Sequence, residues 1–281
     1  MSIVNVAITG ASGLIGKALR ERLASNGHTA VAIARGALPG ECDAVVHLAG
    51  EPVAQRWTEE AKKRIHDSRV DGTRQLVNAL SAQSKRPRVL VCASAVGYYG
   101  SRGDQILTEA SSAGSDFLAR VVLDWEEASQ TAESLGIRVV RLRFGAVLGP
   151  GGALAKLLPL FRFGLGGKLG SGRQWMAWIH IADAVNLILF ALDYGAIRGA
   201  INATAPHPVT NEEFTNRLAI ALHRPAIFPV PAFALKLALG EMSEMLLASQ
   251  RVLPTVAKSA GFRFQYPDLH GALEDLLAAR T

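Results

Sequence analysis

Gly10, Gly13 and Gly16 stand directly after a short apolar run, Val4–Thr9, and open a stretch of helical periodicity, Ile15–Asn26. Each glycine answers a separate demand. Gly10 permits a tight turn, Gly13 lets the backbone approach a diphosphate, and Gly16 allows close packing of helix on strand. The amides of Ser12, Gly13, Leu14 and Ile15 are then free to face an anion, helped by the positive end of the helix dipole. The chemistry expected here is dinucleotide binding. A second run, Thr29–Ala34, ends at Arg35, where an acidic residue would suit unmodified ribose hydroxyls. A guanidinium suits a 2′-phosphate instead, so the expected cofactor is NADP(H). Two later run ends, Leu48-Ala49-Gly50 and Ala93-Ser94, offer small residues along the same cofactor, with Ser94 toward its nicotinamide end.

These residues need a scaffold of alternating strands and helices. The apolar runs Val4–Thr9, Thr29–Ala34, Ala44–Leu48, Val89–Cys92 and Val139–Leu142 are separated by helical patterns over Ile15–Asn26, Glu59–Gln83 and Phe117–Leu135. Continuous aliphatic strands with intervening helices specify an α/β fold, a Rossmann-type doubly wound parallel sheet. After Pro150 the texture becomes rich in Gly, Phe and Trp, which predicts a substrate loop over 150–178. Trp178–Ile181 returns to a strand and Asp183–Leu192 to a helix. Helices over Asn211–Leu222, Phe233–Leu247 and Leu269–Ala279 predict a smaller, mostly helical C-terminal lobe. The expected division is an NADP-binding domain over 1–200 and a substrate or capping lobe over 201–281.

Hydrophobic residues are 49% and charged residues 19% of the 281 residues, enough for a substantial core. Cys42 and Cys92 lie in apolar stretches and are too few for a disulfide framework or a zinc site, so no metal is expected. Ile3–Thr9 already reads as a core strand, leaving no room for a signal peptide. Charges or glycines interrupt every apolar helix, so the expected location is the cytoplasm, with no membrane partner. Lys plus Arg exceed Asp plus Glu by 30 to 24. The basic clusters Lys62-Lys63-Arg64 and Lys85-Arg86-Pro87-Arg88 are short, which argues against nucleic acid and for a small anionic ligand.

Several motifs in order carry a resemblance: Gly10–Gly16, Leu48-Ala49-Gly50-Glu51, Ser94-Ala95-Val96-Gly97-Tyr98-Tyr99-Gly100, Trp125-Glu126, Gly170-Ser171-Gly172-Arg173-Gln174, Trp178-Ile179-His180 and Gly261-Phe262. Along essentially its whole length the chain resembles the atypical extended short-chain dehydrogenase/reductases, an NAD-dependent epimerase/dehydratase-like group with a small C-terminal domain of its own. That likeness implies bound NADP(H) and adds Arg69 and Ala146 as cofactor contacts. It does not imply a substrate.

Classical short-chain dehydrogenases place Tyr-x-x-x-Lys on a helix, both side chains on one face a turn apart. The lysine and the cofactor's positive ring bring the tyrosine down from about 10 toward neutrality. Here none of Tyr98, Tyr99, Tyr194 and Tyr266 has Lys four residues later, and the corresponding helix reads Phe117-Leu118-Ala119-Arg120-Val121-Val122. The candidate catalytic residues are therefore Ser94, to orient a substrate oxygen, Tyr98, to donate a proton, and His180, whose pKa suits proton transfer although a lone histidine in a strand also fits a structural role. Tyr98 and Tyr99 fit packing equally well. Glu109, Asp116 and Asp183 fit solvated faces or helix caps, Asp116 especially as the cap of the Phe117 helix. Arg173 is available to pair with an anionic substrate and Trp175 to stack on a ring. Two functions stay open: an NADP-dependent oxidoreductase or epimerase-like enzyme, and a cofactor-bound sensor without turnover. By analogy with related folds, the helices over Glu59–Gln83 and Phe117–Leu135 suggest a homodimer contact.

Overall fold

The computed structural model describes residues 5–34, 36–37 and 39–278. The chain runs through β1 (Asn5–Thr9), α1 (Leu14–Ser25), β2 (Thr29–Ile33), β3 (Ala44–His47), α2 (Glu59–Ser81), β4 (Val89–Ala95), a short β5 (Ile106–Leu107) and α3 (Phe117–Gln130). It continues through β6 (Arg138–Phe144), β7 (Ala146–Leu148), α4 (Gly152–Arg162), β8 (Trp175–Met176), β9 (Trp178–His180), α5 (Ile181–Asp193) and β10 (Gly199–Ala203). The principal sheet has six strands in the order β10-β6-β4-β3-β1-β2, every pairing parallel.

Alternation along each strand explains the layers. Val6, Ile8, Val46, Val91, Val140 and Leu142 join a core with Leu19 and Leu23 of α1 and Leu187 and Ile188 of α5. Their neighbours Ala7, Val45, Leu90, Cys92 and Val139 face the other way, onto Leu76, Val77 and Leu80 of α2. A period of two on strands buried on both sides thus builds helix–sheet–helix layering. The chain leaves β1 for β2 on one side and then returns to β3 on the other. Doubly wound sheets bind ligands at such a reversal, outside the carboxyl ends of the strands.

The remaining elements are β11 (Val209–Thr210), α6 (Asn211–Ala221), α7 (Ala232–Leu239), α8 (Ser243–Leu247), β12 (Arg251–Val252), α9 (Thr255–Ser259) and α10 (Leu269–Ala278). Three expectations need correcting. β10 adds a sixth strand beyond the five aliphatic runs, and it crosses residue 200. Its sequence, Gly199-Ala200-Ile201-Asn202-Ala203, is too small-residued to signal a strand; pairing with β6 creates it. The stretch after Pro150 is not all loop, because α4 occupies Gly152–Arg162. The helix expected over Phe233–Leu247 is broken at Gly240, whose φ of 61° ends α7 before α8 begins. Cys42 and Cys92 are buried free thiols. Among the described residues no helix is long and apolar enough to cross a membrane.

Candidate functional site

The β1–α1 turn admits no side chain at two of its glycines. Gly10 has φ +69°, and a Cβ there would stand 2.6 Å from the Leu48 carbonyl carbon. At Gly16 a Cβ would lie 2.3 Å from Gly10 O, so only glycine admits this approach of helix to strand. The Gly13 amide donates to Gly10 O at 3.0 Å and Gly13 is the N-cap of α1. Among the described residues no side chain caps that helix end, and its first turn holds no acidic residue. Ser12 and Gly13 are exposed. An uncapped helix start leaves amides seeking an acceptor, with the dipole favouring a negative one.

The other predicted cofactor residues converge on this edge. Leu48 N donates to Thr9 O, so the Leu48-Ala49-Gly50 turn lies against Gly10. Leu14, Ile15, Leu48, Ala93 and Ala146 all sit half-buried at the rim of the main core. Arg69, on α2, donates through Nη1 to Glu51 O at 2.9 Å and Ile65 O at 3.1 Å, with its guanidinium against Gly50. Burial lowers its pKa to about 10, which leaves it charged at neutral pH. Its Nη2 has no hydrogen-bond acceptor among the described residues. Arg35 lies outside the described residues. At Gly149 and Gly152 a Cβ would come within 3.2 Å of Leu14, so the start of α4 closes onto the head of α1.

Beneath this edge lies a buried polar chain. Thr73 donates to Arg69 O at 2.5 Å and accepts from Trp125 Nε1 at 3.0 Å. Its hydroxyl therefore also accepts from His47 Nε2, at 3.0 Å, and His47 Nδ1 accepts from Thr9 Oγ1, at 2.6 Å. The chain ties β1, β3, α2 and α3 together and requires a neutral imidazole. Burial lowers the His47 pKa from 6.5 to about 4. Between those values the unfolded chain binds a proton that the folded one refuses, so the stabilisation is complete above pH 6.5 and lost as pH falls toward 4. The integral is roughly 3 kcal/mol. Urea unfolding at pH 7 and pH 5 should show that decline, and His47→Leu should flatten it; an equally steep decline in the variant would refute the assignment.

Helix α3 meets the β4 end through apolar packing, and a buried ion pair lies beside it. Leu118 and Val122, four residues apart on α3, face Gly97. Ser94 is buried, and its hydroxyl donates to Glu126 Oε1 at 2.6 Å rather than into open space. Glu126 is gripped by Arg143, Nε to Oε1 at 2.7 Å and Nη2 to Oε2 at 2.8 Å. Burial works against the Arg143 charge, but the Glu126 bonds and charge outweigh it and hold the guanidinium protonated. Arg143 Nη1 also donates to Tyr99 OH, which donates to Asn202 Oδ1. Tyr99, with no exposed surface, belongs to this framework. Burial is the main influence raising its pKa. Tyr98 is different: its ring lies over Arg143 at 3.4 Å, it is half-buried, and its hydroxyl has no partner among the described residues.

Arg143 thus joins Ser94 to Tyr98, while His180 belongs elsewhere. His180 caps α5, its Nδ1 accepting from Ala182 N at 3.1 Å, and its ring packs at a tilt against Tyr266, 3.9 Å between ring centres. Its Nε2 is 3.2 Å from Asp275 Oδ2 but out of line for a hydrogen bond. Burial lowers its pKa, opposed by Asp275 and Asp183. Asp116 caps α3 through Ala119 N. Neither Asp183 nor Glu109 is a solvated face: Asp183 accepts from Gln265 N and Tyr266 N, and Glu109 from Asn202 N and Val256 N. Trp175 stacks on Arg251 and donates to Asp104, so its ring already has a partner. Sequence reasoning missed Arg143 and the role of Glu126. The available signal was a charged residue inside a strand otherwise buried on both faces.

A profile of the NAD dependent epimerase/dehydratase family matches residues 6–203, and one of a domain of unknown function, DUF1731, matches residues 230–276. The chain is similar to epimerase family protein YfhF of Bacillus subtilis, with 39% identity over 99% of each chain. It is 40% identical to an Arabidopsis thaliana protein, epimerase family protein SDR39U1 homolog, chloroplastic, over 98% of this chain and 87% of that one. Human epimerase family protein SDR39U1, solved with NADPH, superposes with a TM-score of 0.92 at 32% identity, covering 98% of this chain and 99% of that one. With the fold, the glycine turn and these matches in agreement, the chain belongs to the NAD-dependent epimerase/dehydratase family.

Proposed function

We propose that the chain binds NADP(H) along the carboxyl edge of the sheet and acts as an oxidoreductase or epimerase-like enzyme on a small molecule. The observation that carries this is the uncapped α1 start beside glycines that leave no space for a Cβ. The amides of Ser12, Leu14 and Ile15 hold the diphosphate while the Gly13 amide closes the turn onto Gly10 O, Arg69 offers its unused Nη2 nearby, and Arg35 takes the 2′-phosphate. A human relative of similar fold carries NADPH, which supports the same choice here. When bound, the nicotinamide supplies hydride chemistry. Tyr98 supplies the proton, because its hydroxyl is uncommitted while those of Ser94 and Tyr99 are engaged, and Arg143 holds the Tyr98 ring in place.

Fluorescence titration tests the cofactor. Arg35→Ala should weaken NADPH about ten- to hundredfold, the value of one charge-assisted bond, and leave NADH unchanged. Equal losses for both would refute the role of Arg35, and no response of the native chain to millimolar NADPH would refute the whole reading. Turnover is tested by following NADPH oxidation over carbonyl compounds and sugar nucleotides, with Tyr98→Phe expected to lose about a hundredfold or more in kcat. A second reading, a sensor that binds without turnover, draws on Leu118 and Val122 where an acid and its activator would stand. Tight NADPH binding with silence from every compound would favour it.

A further inference from the structure

Large exposed hydrophobics are not scattered. Among the described residues, eight of eleven fall within 160–165 and 220–237. They include Phe163 at 81%, Leu165 at 57%, Ile227 at 69%, Phe228 at 54%, Phe233 at 73% and Leu237 at 82% exposure. The two segments adjoin: Phe228 N donates to Gly166 O, Arg224 Nε to Arg162 O, and Val230 N to Lys168 O. Phe233 and Leu237 follow on α7, one turn apart on a single face with Lys236 beside them. Clustering of this kind marks an interaction surface rather than ordinary exposure.

Charge identifies what it meets. No Asp or Glu occurs anywhere in 134–182 or in 214–240. Those same stretches bring exposed Lys156, Arg162, Arg224 and Lys236, none with a carboxylate partner among the described residues. Aromatic and aliphatic side chains interleaved with unpaired cations suit an interface of acyl chains below and anionic headgroups above. A second copy of the chain would oppose like charge to like charge. We propose that this face docks peripherally on anionic phospholipid. The expectation of no membrane partner rested on helix length and so concerned spanning segments.

Vesicle co-sedimentation tests the proposal, using phosphatidylcholine alone and phosphatidylcholine mixed with phosphatidylglycerol. The protein should pellet with the anionic vesicles, release as salt is raised, and remain in solution with the neutral ones. Phe163→Ser with Leu237→Ser, and separately Arg162→Glu with Lys236→Glu, should each weaken partitioning about tenfold, since each basic group near such a surface contributes appreciably. All four side chains are exposed, so thermal midpoints should hold and report an intact fold. Failure of the native chain to pellet with the anionic vesicles, or pelleting of both variants as complete as that of the native chain, overturns the proposal. So does a lipid-free dimer, by light scattering, that either pair of substitutions dissolves, because the occupant would then be a second copy.

Discussion

Gly13→Asp is expected to abolish NADPH binding while leaving the apo protein at least as stable as the native chain. Gly13 has φ −71° and ψ 173°, a conformation that any residue adopts, and a Cβ there meets only Gly10 O at 3.3 Å. Aspartate is a favoured N-cap, so its carboxylate should take the free amides of α1 and add a few tenths of a kcal/mol over glycine. Those are the amides that the diphosphate needs. Losing two charge-assisted bonds, each about 1.5–3 kcal/mol, and placing an anion beside an anion should weaken binding by at least about a hundredfold. Isothermal titration with NADPH, alongside thermal unfolding of the apo protein, separates the two effects. A variant that still bound NADPH within about threefold of the native chain would place the diphosphate elsewhere.

The second large effect is on stability. Glu126 and Arg143 are about 95% buried and exchange two short bonds, with Ser94 and Tyr99 satisfying further atoms. Removing one partner strands the other charge in the interior. Glu126→Leu should therefore cost about 3–5 kcal/mol, or on the order of 10 °C in Tm. Adding Arg143→Met removes the stranded charge and should recover much of the loss, because an apolar pair of similar volume is often neutral. Urea unfolding of the single and double variants measures the coupling. If Glu126→Leu cost less than about 1 kcal/mol, the pair would be solvated rather than buried.

That pair also shows where reading the chain stops. Five strands of the sheet needed only local patterns: aliphatic runs of the right length, helical spacing between them, and Gly10, Gly13 and Gly16 at the first junction. Leu48, Ala49 and Gly50 were legible for the same reason, as small residues at a strand's carboxyl end. Ser94 was legible in position but not in role, because its partner Glu126 lies 32 residues away on another element. His180 fitted either a structural role or proton transfer from its type alone; the structure spends it on capping α5 and packing against Tyr266. Arg69 came only from family likeness, since nothing local distinguishes one arginine on a helix from another.

The sequence by itself determined the parallel sheet, the anion-ready turn and the absence of a Tyr-x-x-x-Lys pair, because each depends on residues close in the chain and on the periodicity of a single element. Only the tertiary structure decided which polar side chains are already bound to one another, where β10 joins the sheet, and that the acid-free segments bring their exposed apolar residues together. Those outcomes depend on contacts between residues distant in sequence, and such contacts form only when whole elements pack.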